Sequence, residues 1–350
     1  MTDLRPSRWI AAVCIAFLPI VATGHHSFAS NFDVHTMNEL EGEIVNLRWK
    51  NPHVVFTLKT SNAQGEEVLY QIESHSLAIM RRNGVPADAL HNGDKVKIAG
   101  HPGRLVANAM FVQHVLLPGG EEIVLHPRFE PRWAENVESS STWMATHDDA
   151  QNEQTGIFRV WSTSLRSIEE GLAYPETINP AAAHDYPLTA DARAVLMAFD
   201  PLTDALTVNC QPKGMPAIME NPFPIEFVEV EGDIELHLEE YDTLRTIRMG
   251  DTDGNNEHTP SLVGYSVGRW EGSTLVVETD AMNYGHFDSV GIPLSDSAIV
   301  TERYIPSDDG KRLGFEMTVV DSATFTEPVT LTKTWLGLPG AKVQPYECSE

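Results

Sequence analysis

Glu43-Ile44-Val45-Asn46-Leu47-Arg48-Trp49-Lys50-Asn51-Pro52-His53-Val54-Val55-Phe56-Thr57-Leu58 is the stretch on which the reading of the fold turns. Before its Asn51-Pro52 break, Val45, Leu47 and Trp49 alternate with polar neighbours; after it, Val54, Phe56 and Leu58 do the same. Period-two alternation puts one set of side chains on one face, as in a half-buried strand, and proline between two such runs marks a bend. Working outward, Val68, Tyr70 and Ile72 repeat the pattern, and residues 74–82 read as a short helix closed by Asn83-Gly84. Further strands follow around Val96 and Ile98 and over residues 107–117. Three strands, a helix and two strands is the order of a five-stranded OB-like barrel, expected here over residues 25–126.

Residues 127–154 are rich in Glu, Asp, Ser, Gln and Asn, poor in aliphatics, and are expected to form an exposed linker. From 155 to 350 the β pattern returns. One helix interrupts it, with Thr189 as N-cap, good helix formers from Ala190 onward, and Pro201 as the stop. Strands are expected at 225–230, 234–240, 244–249, 262–270, 275–279, 298–304, 313–320 and 329–336. Glu231-Gly232, Asp253-Gly254, Glu271-Gly272 and Asp309-Gly310 supply the turns. The expectation is a mainly β chain whose second domain is an antiparallel up-and-down barrel or a sandwich. The barrel is preferred because closure leaves no exposed edge.

Residues 1–24 have the three-part layout of a secretory signal: Arg5 and Arg8, an apolar run from Trp9 to Val21, and small residues at Ala22 and Gly24. The apolar run is too short to span a bilayer, and Pro19 interrupts it. Cys14 sits inside that run, where a lipid-anchor signal would not place it. Cleavage after Gly24 predicts a periplasmic or extracellular protein that starts at His25 and has no membrane span after processing. The chain carries 24 Lys+Arg against 50 Asp+Glu, a net charge of −26. Such a surface repels nucleic acid, so no nucleic-acid partner is expected. Cys210 and Cys348 remain after processing, and in an oxidising compartment they are expected to pair. No Cys-x-x-Cys pair is present.

A mature His25-His26 start offers an α-amino group and an imidazole that chelate one metal ion in a single ring. Copper(II) favours such nitrogen-rich sites, more so than zinc, which prefers tetrahedral ones. His53, at the bend between two strands, is the first candidate for a further ligand, His75 the second and His35 the third. These residues also carry a resemblance. His25-His26-Ser27-Phe28-Ala29, Phe32-Asp33, Leu40-Glu41-Gly42, Trp49-Lys50-Asn51-Pro52-His53 and Gly93-Asp94-Lys95-Val96 resemble an uncharacterised family of secreted bacterial domains that open with His-His-Ser-Phe and carry Trp-x-Asn-Pro-His. Residues 185–350 resemble a second uncharacterised bacterial β domain through Tyr186-Pro187-Leu188-Thr189, Cys210-Gln211-Pro212-Lys213-Gly214-Met215-Pro216, Gly264-Tyr265-Ser266-Val267-Gly268-Arg269-Trp270-Glu271-Gly272 and Tyr346-Glu347-Cys348. The resemblance implies no activity; it places His25, His26 and His53 in motif positions.

In the second domain, Glu239, Arg245, His258, Arg269, Glu271 and Glu278 lie on or beside adjacent strands. They are candidates to line a polar small-molecule cavity, with a buried ion-pair network as the rival account. Gly264-Tyr265-Ser266-Val267-Gly268 spells Gly-x-Ser-x-Gly, but in a strand-to-hairpin setting rather than the strand-to-helix elbow a nucleophile needs. Asp251-Thr252-Asp253-Gly254-Asn255 lacks the spacing of a calcium loop and reads as a hairpin turn. The functional expectation is an exported binding protein with a copper(II) site at its mature amino terminus and a cavity in the second domain. A copper-dependent oxidoreductase or cavity enzyme is the alternative, and a ligand-free structural module the third reading.

Overall fold

The computed structural model describes residues 31–86, 88–104, 106–126, 129–134, 156–162, 186–199, 210–220, 223–250, 258–289, 291–338 and 341–348. The signal stretch, His25, His26, most of the linker and residues 251–255 lie outside them. Two β-barrels follow one another along the chain.

The first barrel comprises β1 (Asn38–Arg48), β2 (Val55–Ser61), β3 (Glu67–Glu73), β4 (Lys95–Pro102) and β5 (Ala109–Leu116), with helix α1 (Leu77–Arg82) between β3 and β4. Its sheet runs β3-β2-β1-β4-β5, and a parallel β3–β5 pairing closes it in OB order. The sequence places one strand fewer: β6 (Glu122–Val124) adds to the β5 edge. Ser76 caps α1, its Oγ accepting the Ile79 N–H at 3.3 Å. The core collects Ile44, Val54, Phe56, Leu58, Ile72, Ile98, Val112 and Val115.

The face expected for β1 changes phase midway. Leu40 and Ile44 turn to the core, and beyond Val45 so do Leu47 and Trp49. The register with β2 slips between Val45 and Arg48, and Asn46 takes a positive φ of 53°. A bulge of this kind adds one residue and flips everything after it to the opposite face. Gly42 is required on the same strand, because a Cβ there would meet the Lys59 carbonyl oxygen at 2.4 Å.

The second barrel closes nine strands in sequence order: β7 (Val160–Ser162), β8 (Ile225–Val230), β9 (Asp233–Leu238), β10 (Thr243–Met249), β11 (Tyr265–Glu271), β12 (Thr274–Asp280), β13 (Ile299–Pro306), β14 (Arg312–Val320) and β15 (Val329–Gly337), which returns to β7. β10 and β11 are parallel, and every other neighbouring pair is antiparallel. A ring with an odd number of strands cannot alternate direction throughout, so one pair has to run parallel. Residues 251–255, read as a hairpin turn, stand in sequence between these two parallel strands and lie outside the described residues. Helix α2 (Ala190–Ala198) starts where expected, the Thr189 Oγ1 accepting the Ala192 N–H at 3.2 Å.

Cys210 and Cys348 form the expected disulfide, with Cα atoms 5.8 Å apart. It fastens the tail, and the tail joins the barrels. The Asn51 side chain donates to the Tyr346 carbonyl and accepts the Leu77 N–H at 2.9 Å, while the Asn51 backbone pairs with Cys348. Tyr346 packs with Ala78 of the first barrel and Phe223 of the second. Among the described residues no helix is long and apolar enough to cross a membrane.

Candidate metal centre and the adjoining cavity

Phe111, on β5, organises the candidate site. Its ring lies 5.4 Å from Phe32, 4.9 Å from His75 and 6.2 Å from His53, centroid to centroid. The entry of the chain into the first barrel is therefore in contact with the ring that touches two of the three further histidines picked from the sequence. Strand pairing explains the juxtaposition: the Val54 N–H donates to the His75 carbonyl at 3.2 Å, and the Ser74 N–H to the Val54 carbonyl at 2.9 Å.

The two histidines differ in chemistry. His53 hydrogen-bonds through Nδ1 to the Glu73 carboxylate, and both side chains are about three-tenths exposed. A carboxylate accepts only, so Nδ1 carries the proton. This is the hold that metal-ligating histidines characteristically have on the ring nitrogen away from the metal. His75 hydrogen-bonds through Nε2 to the Gln113 carbonyl oxygen at 2.8 Å, which commits that nitrogen as a donor. His35 is exposed, its backbone N–H bound to Asp33 at 3.2 Å.

Sequence reasoning missed three more histidines nearby. His126 lies 4.6 Å from His75, and His101 and His114 meet Phe129 at 6.2 and 5.6 Å. Only strand pairing brings them together; spacing along the chain carries no signal of it. His114 is buried against Glu122 at 3.0 Å. Burial pulls the His114 imidazole below its ordinary value despite the Glu122 charge. Burial also works against the charge of Glu122, but the Arg132, Ala134 and Trp133 backbone N–H groups and His114 outweigh it and hold its carboxyl below the usual range. Residues 132–134, at the start of the expected linker, are thus fastened to β6. Among the described residues no three His, Cys, Asp or Glu side chains are grouped to hold a metal ion.

Beside Glu73 opens a cavity of about 460 Å³, walled by Phe32, Leu47, Val55, Phe56, Ile72 and Ala109. The β1 bulge borders it with Asn46 and Arg48.

The six second-domain candidates do not converge. Arg245 alone turns into the barrel, 1% exposed. All five of its N–H groups are engaged: Nε with Ser266 at 2.9 Å, one terminal nitrogen with Glu302 at 3.0 Å and Met215 Sδ at 3.6 Å, the other with Thr279 at 2.7 Å and the second Glu302 oxygen. Glu239 is buried and accepts the Gln344 N–H of the tail at 3.2 Å. His258 bonds Asp280 at 2.8 Å and stacks on Tyr265. Arg269 and Glu271 pair on the outer surface at 2.9 Å, and Glu278 is exposed.

A second polar group escaped the sequence reading. Around the turn Ala217–Glu220, Lys213 meets Glu240 at 2.9 Å, and Lys333 donates to the Met219 carbonyl at 3.2 Å. Burial, then the Asp288 charge, pushes the Glu220 carboxyl up to about 8; burial pushes the Lys333 amine down to about 7. The signal was present on β15, where Lys333 stands among Val329, Leu331 and Trp335 in an inward-facing alternation.

No curated protein and no solved structure matches the chain. Over residues 12–109, which include β1 to β4, the chain is similar to a family of unknown function (DUF6152), whose model matches that stretch.

Proposed function

We propose that this is an exported metal-binding protein in which the amino terminus freed at His25 and the His53 imidazole share a copper(II) ion. The observation that carries the reading is the Phe111 contact set, with His53 and Phe32 on one ring and the Glu73 carboxylate orienting His53. His25 stands six positions before Asn31. An extended chain covers about 3.3–3.6 Å per residue, which gives a reach of roughly 20 Å, against ring contacts of 5.4 and 6.2 Å that lead from Phe32 through Phe111 to His53. An amine and imidazoles form the nitrogen-rich set that copper(II) prefers.

Three preparations test it: a start at His25, an extra Gly before His25, and His53→Ala. A shared ion requires both changes to weaken copper(II) binding by orders of magnitude and to alter the copper EPR spectrum. A His53→Ala protein that binds copper as the parent does would overturn the reading. The intact mass of protein recovered from the periplasm or medium should match a start at His25. A copper oxidoreductase is the second reading, favoured by the cavity next to Glu73, where a substrate would adjoin the metal. An exchangeable equatorial water on the bound copper separates the two.

A further inference from the structure

We infer that the cavity between the β1 bulge, the β2–β3 face and the β4–β5 connection is a binding site for an uncharged, mainly apolar small molecule with a hydrogen-bond donor at one end.

Shape and size come first. The cavity holds about 460 Å³, within the range of small-molecule sites and too small for a folded partner. Its origin is specific. The register slip between Val45 and Arg48, with Asn46 at positive φ, puts one extra β1 residue opposite β2 before pairing resumes at Arg48 and Val55, and that bulge forms one border of the cavity. Val55 and Thr57 of β2 and Gln71 and Glu73 of β3 line it, with the core residues Phe56 and Ile72, 3% and 2% exposed, behind them. Val106, 42% exposed, stands at the rim. OB barrels receive oligonucleotides and oligosaccharides on the strand 2–3 face beside the strand 4–5 loop, which supports the location, though not the ligand class, by analogy of fold.

Charge narrows the ligand. Arg48 and Glu73 both border the cavity. A cation would meet the exposed Arg48 guanidinium and an anion the Glu73 carboxylate, so a charged ligand loses to one group what it gains from the other. A neutral molecule meets neither penalty. Glu73 is an acceptor already holding the His53 Nδ1–H, and a carboxylate has room for further donors, so the polar end that fits is a hydroxyl or a neutral N–H. The apolar body then lies along Phe32, Val55 and Ala109. A ligand so placed would abut His53, so this inference deepens the copper reading, but the cavity needs no metal to be filled.

The test uses the full processed chain, metal-free, and the fluorescent probe N-phenyl-1-naphthylamine, which is uncharged, apolar and carries one N–H. Saturable binding of one probe per chain is expected. Ala109→Phe, which fills the cavity, and Val106→Phe, at the exposed rim where folding is not at stake, should each weaken it at least tenfold. Near-ultraviolet circular dichroism checks that Ala109→Phe is folded. Absence of saturable binding, or binding unchanged in both variants, overturns the inference. Copper(II) should then quench the bound probe. Binding that survives both checks without quenching supports the cavity and counts against the copper site at His53, so the two ideas fail separately.

Discussion

Arg245 and Glu302 form the most consequential pair inside the second barrel, and their removal can be worked through. Glu302 is fully buried, takes both terminal nitrogens of Arg245, and accepts the Tyr304 hydroxyl at 2.8 Å. Glu302→Leu leaves a guanidinium in the barrel with the Ser266, Thr279 and Tyr304 hydroxyls and the Met215 sulfur but no counter-charge from Glu302. Stranding one member of a buried pair costs about 3–5 kcal/mol. Arg245→Met strands the carboxylate instead and should cost a similar amount. A domain of this size loses about 2–4 °C of melting temperature per kcal/mol, so each single variant should melt about 6–20 °C lower. The double variant strands neither charge, leaves the Tyr304 hydroxyl to find another acceptor, and exchanges a pair that must be desolvated for apolar side chains of similar length. It should be no less stable than either single. Urea unfolding followed by tryptophan fluorescence reads this directly, since Trp335 packs against Tyr304 in the same interior. Additive losses in the double variant would refute the account: the two residues would then contribute through packing alone, and the interior would be wet.

Cys348→Ser opens a loop closed over 138 residues, for which the chain-entropy account gives a loss of about 5 kcal/mol; full stability in that variant, or in reduced protein, would contradict it. Asn51→Leu removes two buried hydrogen bonds at the junction of the barrels, to Tyr346 and Leu77, and should cost about 2–3 kcal/mol while separating the unfolding transitions of the two barrels. The buried polar group sets a pH dependence. Between about pH 4.5 and 8 the folded state keeps a proton on Glu220 that the unfolded chain has released, so stability falls as pH rises through that window. Between about pH 7 and 10.5 the unfolded chain holds a proton that buried Lys333 does not, so stability rises with pH. Denaturant unfolding from pH 5 to 10 should therefore pass through a minimum near pH 7–8, and Glu220→Gln should abolish the falling limb; a flat profile would contradict both assignments.

Local signals carried much of the architecture. Alternation at Val54, Phe56 and Leu58, and at Leu331 and Trp335, marks strands because a pleated backbone buries every second side chain whatever lies opposite. Thr189 marks a helix start because a cap acts within three residues of itself, whereas the helix expected from residue 74 begins at Leu77, behind Ser76. Two cysteines outside the expected signal stretch left one pairing to make. The expected faces failed where a single extra residue intervened. The bulge at Asn46 is invisible to a period-two count that restarts cleanly after it, and the same bulge borders the cavity.

What only the tertiary structure decided is a matter of long-range pairing. Asn51 and His53 belong to one motif, yet they face different tasks: Asn51 is buried against the tail and His53 turns to Glu73. Nothing within the motif distinguishes them, because the partners lie 295 and 20 residues away. Arg245 read as a ligand group until β13 brought Glu302 to it across 57 residues of chain. The odd strand count, and with it the parallel β10–β11 pair, follows from how many strands fit around a closed ring, a property of the whole barrel that no stretch of its sequence contains.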